Sequence, residues 1–214
     1  TGDSVLYEQD GESREVKAGN ILLSIGRRAN TRDIGLEAIG ITTTRFGIQV
    51  DAQMRTNHPQ VFAAGDVTGQ SMLAHTAYRE AEVAVNTLLG REDAMRYDAI
   101  PAVLYTNPEL AAVGHTEASA AAAGIPFNTV KLPMRFSGRY LAENEGGNGV
   151  MKLVVNEKTR RVLGVCALSN YASEFIVTAG TWIEAGLSLD QIKKIVFPHP
   201  TVSEILREAI FQYE

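Results

Sequence analysis

Apolar and polar positions change period several times along this chain, and each change predicts an element. Val5, Leu6, Tyr7 and Val16-Lys17 flank the turn Asp10-Gly11-Glu12 and predict a hairpin. The run Ile21-Leu22-Leu23-Ser24-Ile25, closed by Gly26, predicts a buried strand. Residues 30–47 are polar and broken by glycine, a connecting stretch with Leu36 and Ile39 as its anchors. Val61-Phe62-Ala63-Ala64 predicts a short strand ending in Gly65-Asp66. Ala77, Ala81, Val85 and Leu88 recur at helical spacing, so a helix over 73–89 with that face inward is expected, stopped by Gly90.

From residue 99 the texture changes. Residues 102–106, 110–113, 127–132, 150–155 and 162–168 predict five strands. An Ala-rich helix over 116–123 sits between the second and third, with Gly124 ending it. Gly146-Gly147-Asn148-Gly149 predicts a turn before the fourth strand, and residues 156–161 a hairpin after it. Helices follow over 172–185, 189–196 and 202–212, the first with Phe175, Ile176, Ala179, Trp182 and Ile183 on one face. An antiparallel sheet covered by helices, an α+β fold, is the architecture that buries such a run.

Composition narrows the function classes. The chain has 214 residues, 45% hydrophobic and 21% charged, ordinary values for a globular protein with a real core. A net charge of −5 supplies no electrostatic attraction for nucleic acid or an anionic membrane, so neither is expected as a partner. No apolar run is long enough to span a bilayer and the first residues do not read as a signal peptide, so a cytoplasmic protein is expected. The single Cys166 excludes an intrachain disulfide and, in an apolar run, reads as a buried, inert thiol. His58, His75, His115 and His199 have no metal-site spacing, so no metal is expected.

Two segments could carry chemistry. In Phe197-Pro198-His199-Pro200-Thr201-Val202-Ser203-Glu204, Pro200 holds His199 out of the helical region, on a stiff turn. Thr201 and Glu204 have capping-box spacing, which starts a helix. The imidazole can take and return a proton near neutrality, with the Glu204 carboxylate behind it. The same letters also fit an ordinary turn whose Glu204 only accepts a cap amide. In the second segment, Gly65 lets a ligand approach the backbone and Asp66 can accept hydrogen bonds from sugar-like hydroxyls, although a Gly-Asp pair after a strand is also simply a turn.

The letters from Thr56 to Asp66 resemble the second flavin-binding motif of the pyridine nucleotide–disulfide oxidoreductases, and the resemblance extends over nearly the whole chain. Leu23-Ser24-Ile25-Gly26-Arg27-Arg28-Ala29-Asn30-Thr31 resembles the strand and loop leaving that family's nicotinamide domain, with Ala29 where proline is usual. Met72-Leu73-Ala74-His75 resembles the flavin-contacting helix start of the dihydrolipoamide dehydrogenase branch. Tyr105-Thr106-Asn107-Pro108-Glu109-Leu110-Ala111-Ala112-Val113-Gly114 resembles the opening of the interface domain, and His199-Pro200-Thr201-Val202-Ser203-Glu204 its C-terminal His/Glu motif.

The resemblance implies a division into the tail of an NAD-binding domain (1–44), the second segment of an FAD-binding domain (45–96) and an interface, or dimerisation, domain (97–214). It implies that Gly26 serves NAD, and that Asp66 and the backbone of Met72, Leu73, Ala74 and His75 serve FAD. Helix-start amides would stabilise negative charge on a reduced flavin. It implies that His199 is a thiol base for the disulfide of the other subunit of a homodimer, with Glu204 orienting it and the peptide before Pro200 cis. The substrate implied is dihydrolipoamide, on its own or on a lipoylated carrier protein, with a glutathione- or mercuric-type reductase as the rival within enzymes. A pure dimerisation module is the rival outside them. The chain holds neither a G-x-G-x-x-G fingerprint nor a Cys-x4-Cys pair, so it is expected to be the C-terminal portion of a longer enzyme, inactive and without tightly held FAD on its own.

Overall fold

The computed structural model describes residues 4–145 and 147–213. It comprises two compact units, residues 1–88 and 89–214.

In the first unit, strands β1 (Ser4–Gln9) and β2 (Glu12–Lys17) form the expected antiparallel hairpin, with Val5 opposite Val16. Asp10 and Gly11 both adopt positive φ, as a two-residue hairpin turn requires. Residues 21–25 do not form the expected buried strand. They run without regular structure and Leu22 is 91% exposed, because an apolar run becomes a strand only where another strand accepts its amides. Leu36, Ile41, Ile48 and Ala63 make the small core of this unit, with Val50, Val61 and Val67 against it. Ile39, expected as an anchor, is exposed. The expected strand over 61–64 is reduced to one bridge, Arg55 to Phe62.

Helix α1 (Ala74–Leu88) lies within the expected span, and Gly90 follows it at φ +69°. Its buried face is Thr76, Glu80, Val83 and Ala84, not the expected one; Ala81, Val85 and Leu88 face out. Periodicity ranks residues by polarity. It cannot register that a glutamate is drawn inward by a backbone amide awaiting it.

In the second unit, β3 (Ala102–Leu104), β4 (Leu110–Gly114), β5 (Phe127–Pro133), β6 (Val150–Asn156) and β7 (Val162–Leu168) form one antiparallel sheet in the order β3-β4-β7-β6-β5. The five-stranded α+β expectation therefore holds. Alternate residues Ala111, Val113, Met151, Leu153, Val165 and Ala167 enter one core with Phe175, Ile176, Ala179 and Trp182 of α4 (Ala172–Glu184). Gly164 sits where a Cβ would come within 2.0 Å of the His115 carbonyl oxygen, so only glycine permits that crossing. Asn156 Oδ1 accepts the Lys158 and Thr159 amides and so closes the β6–β7 hairpin.

Helix α2 (Glu117–Ala122) carries a full capping box between Thr116 and Ser119. Helix α3 (Gly138–Glu143), preceded by a 3-10 turn at Met134–Phe136, was not expected. The turn expected before β6 falls partly on Gly146, outside the described residues. Helix α5 (Leu189–Ile192) is shorter than expected, because the Lys194 and Ile195 amides bond three residues back and tighten its end. Helix α6 (Glu204–Gln212) buries Ile205, Leu206, Ala209 and Ile210.

Cys166 is half-buried rather than buried, on the outward-alternating positions of β7; burial still pushes its thiol up, with Lys152 opposing. Among the described residues no helix is long and apolar enough to cross a membrane.

Candidate functional site

His199 and Glu204 are brought together on the turn between α5 and α6. The His199–Pro200 peptide is cis, as expected, and Thr201 Oγ1 donates to the Pro198 carbonyl at 2.9 Å, closing the loop over His199. Glu204 then divides its two oxygens. Oε2 accepts the Thr201 amide at 2.7 Å, and Oε1 lies 2.9 Å from His199 Nδ1. The cap and the orienting carboxylate are one group, so the two readings left open by the sequence coexist. Only half of the capping box forms, because the Thr201 hydroxyl is committed to Pro198 and to Ser203 Oγ at 3.0 Å.

The electrostatics assign the tautomer. Burial of the Glu204 carboxyl resists ionisation, but the Thr201 amide, the His199 ring and the Arg207 charge outweigh it and hold the group below its ordinary value of 4.5. An ionised carboxylate can only accept, so Nδ1 must be the donor and Nε2 of a neutral imidazole carries the lone pair. The His199 side chain is 79% exposed and that of Glu204 only 16%. A shielded anion thus holds a base whose reactive nitrogen is open to an incoming acid. Beside the turn lies a cleft of about 380 Å³ whose walls include Arg139, Tyr171, Glu174 and Phe175 with residues 200–203.

The second site belongs to the first unit. Gly65 has φ +82° and ψ −161°, a conformation open in practice to glycine alone. Its amide donates to Glu80 Oε2 at 2.5 Å, and its carbonyl accepts the Thr68 amide and hydroxyl. Asp66 opens the one-turn 3-10 helix Asp66–Thr68, with its carboxylate half-exposed and Arg27 Nη1 3.9 Å away. A dinucleotide cofactor needs close backbone approach and an acceptor for its hydroxyls, and Gly65 with Asp66 fits both requirements. Met72 and Leu73 are half-buried, while Ala74 and His75 are exposed at the start of α1, whose first turn closes from the Ala77 amide to the Leu73 carbonyl. Gly26 is exposed at φ +103°, with nothing within 4 Å of where a Cβ would stand.

Glu80 was not singled out from the sequence, where it stands beside Arg79 and two residues before Glu82 with nothing in the letters to mark it as the buried one. Glu109 was also missed as a structural group. Its Oε2 accepts the Ser173 amide at 2.9 Å and so caps α4, whose formal N-cap Tyr171 contributes no side-chain bond.

A helix-covered antiparallel sheet that carries an exposed histidine, with a glycine-acid turn ahead of a helix start, defines a class. The chain belongs to the pyridine nucleotide-disulphide oxidoreductase family: the model of its dimerisation domain matches residues 100–210, and that of the oxidoreductase itself matches residues 1–81. Among curated proteins, the dihydrolipoyl dehydrogenase of Geobacillus stearothermophilus is 41% identical over 97% of this chain, and that of Bacillus subtilis 38% identical over the same share. The chain spans about 44% of the length of these relatives. Among solved structures, LpdA from Mycobacterium tuberculosis has a TM-score of 0.88 at 28% identity, with 100% of this chain and 47% of that one covered. The HOCl-induced flavoprotein disulfide reductase RclA from Escherichia coli, as its Cu(II) complex, has a TM-score of 0.85 at 27% identity, with 100% and 50% covered.

Proposed function

We propose that this chain is the C-terminal portion of an FAD-dependent dihydrolipoamide dehydrogenase that passes electrons from a dithiol to NAD. The observation that carries the reading is the His199–Glu204 pair, joined at 2.9 Å with the imidazole exposed. His199 Nε2 takes the proton of one substrate thiol. Glu204 keeps Nδ1–H fixed and stabilises the imidazolium that results. The thiolate, the reactive form, then bonds to one sulfur of an enzyme disulfide, and the other sulfur leaves as a thiolate. Cys166 is the only cysteine here, so that disulfide is supplied from outside this chain. The same imidazolium returns its proton to a departing thiolate.

Asp66 would hold FAD through hydroxyl groups, and the first amides of α1, from Met72 to His75, would face the electron-rich end of its ring system. Gly26 would leave room for NAD. When bound, the flavin supplies the two-electron relay between dithiol and nicotinamide. On this reading residues 1–44, 45–96 and 97–214 are the nicotinamide-domain tail, the second flavin-domain segment and the interface domain of a cytoplasmic homodimer. The substrate is dihydrolipoamide on a lipoylated carrier protein, supported by the 36–41% identity to dihydrolipoyl dehydrogenases.

The test is His199→Gln in the flavin-loaded full-length enzyme. Dithiol-driven NAD reduction should fall about 10²- to 10⁴-fold, the contribution of a positioned base. NADH-driven reduction of ferricyanide, which needs no thiol base, should persist. Undiminished dithiol turnover would exclude His199 as the base, and faster turnover of glutathione disulfide or mercuric ion than of lipoamide would reassign the substrate.

A further inference from the structure

We propose that Ser137 is a positioning residue for the His199 base, a role that rests on the reading of His199 given above. An imidazole that is 79% exposed is not fixed by packing. Its place depends on the backbone of its turn, and the cleft beside residues 200–203 leaves one flank of that turn without packed support. Val202 seats the far end of the turn in the core, and hydrogen bonds must fix the rest.

Thr201 gathers those bonds. Its amide is given to Glu204, its hydroxyl to Pro198, and its carbonyl accepts from Ser137 Oγ at 3.0 Å across 64 residues of sequence. Ser137 is 1% exposed and caps α3, its Oγ also accepting the Tyr140 amide at 3.2 Å. The Ser137 amide in turn donates to the Met134 carbonyl, and the Met134 amide to the Gly149 carbonyl at 2.8 Å, beside the start of β6. A continuous series of bonds therefore runs from the sheet margin through Met134, Ser137, Thr201 and Glu204 to His199 Nδ1. Ser137 is the only side chain in it that ties the sheet to the turn. A hydroxyl has a single proton, and here that proton goes to Thr201.

The consequence is specific. Losing the Ser137 hydroxyl leaves His199 chemically intact but lets Thr201, and with it Glu204 and the ring, drift from the productive position. Displacements well under an ångström are costly in proton transfer.

The experiment uses the flavin-loaded full-length enzyme with Ser137→Ala, Ser137→Thr and His199→Gln measured together. Ser137→Ala should lower dithiol-driven turnover about five- to twentyfold, in kcat more than in KM, with NADH-to-ferricyanide activity unchanged. Ser137→Thr, which keeps the hydroxyl, should restore at least half of the lost rate. Full dithiol activity in Ser137→Ala overturns the proposal. So does a parallel loss of both activities, which would make Ser137 only a cap for α3, or a Thr variant as impaired as the Ala variant. If His199→Gln itself retains dithiol turnover, the failure lies in the reading of His199 and is distinguished from a failure at Ser137.

Discussion

The buried Glu80 side chain accepts the amide of Gly65, fifteen residues earlier, through Oε2 at 2.5 Å. The bond joins the middle of α1 to the turn that presents Asp66. Glu80→Ala should leave a buried amide unsatisfied and destabilise the protein by about 1–3 kcal/mol. Glu80→Gln, which keeps an acceptor of the same shape, should cost less. Denaturant unfolding of the two variants checks the order, and in the full-length enzyme the Ala variant should lose flavin first on dilution.

Gly65 itself admits no side chain at φ +82°. Gly65→Ala should cost about 1–3 kcal/mol through backbone strain alone, since the nearest atom to the added methyl, Ala77 Cβ at 3.4 Å, is in ordinary contact. Thermal unfolding measures the loss, and a compensating deletion at Ala77 (Ala77→Gly) should not recover it.

Glu204→Gln separates folding from chemistry. The amide oxygen can still cap Thr201, but the amide nitrogen then faces Nδ1 and favours the opposite tautomer, with the proton on Nε2. Dithiol turnover in the full-length enzyme should fall by about 10²-fold or more, the kind of loss seen when a histidine is held in the wrong tautomer. The melting temperature should move only a few degrees. A rate loss matched by unfolding would argue against the tautomer argument.

The same carboxylate makes stability depend on acidity. Its folded value lies below 4.5, so its contribution is fully present above that pH and is lost as pH falls through the lowered folded value. In the window below pH 4.5, wild-type stability should therefore decline more steeply than that of Glu204→Gln. Urea unfolding across that window measures the difference, and parallel slopes would contradict it.

Glu109 predicts a purely structural effect. Glu109→Ala removes the bond to the Ser173 amide and should destabilise the second unit by about 1 kcal/mol, a typical helix-cap value. Dithiol chemistry in the full-length enzyme should be unchanged under conditions where the variant is folded.

The second unit was more legible in the sequence than the first, and the reason is physical. Its strands pair with one another, so the alternation of Met151, Leu153, Val165 and Ala167 is answered within the same stretch of chain. Residues 21–25 carry the same apolar signal, yet no partner strand answers it among the described residues. Helix α1 was found by its period but assigned the wrong face, because the group that decides its rotation is the polar Glu80. At the His199 turn the residues and spacing were readable in advance. What the letters could not give was the sharing of Glu204 between cap and ring, or the hydroxyl of Ser137 arriving from another part of the chain. Such distant bonds leave no periodic trace.

Residues 21–25 have a consequence for anyone handling the protein. Ile21, Leu22, Leu23 and Ile25 are all exposed, extended in composition towards β structure, and free of charge. A segment of this kind is a template for strand addition, and copies of the chain meeting there can stack through their backbones. Clumping of the purified 214-residue chain should then begin at this apolar ribbon, be insensitive to salt, and be relieved by a single lysine at Leu23.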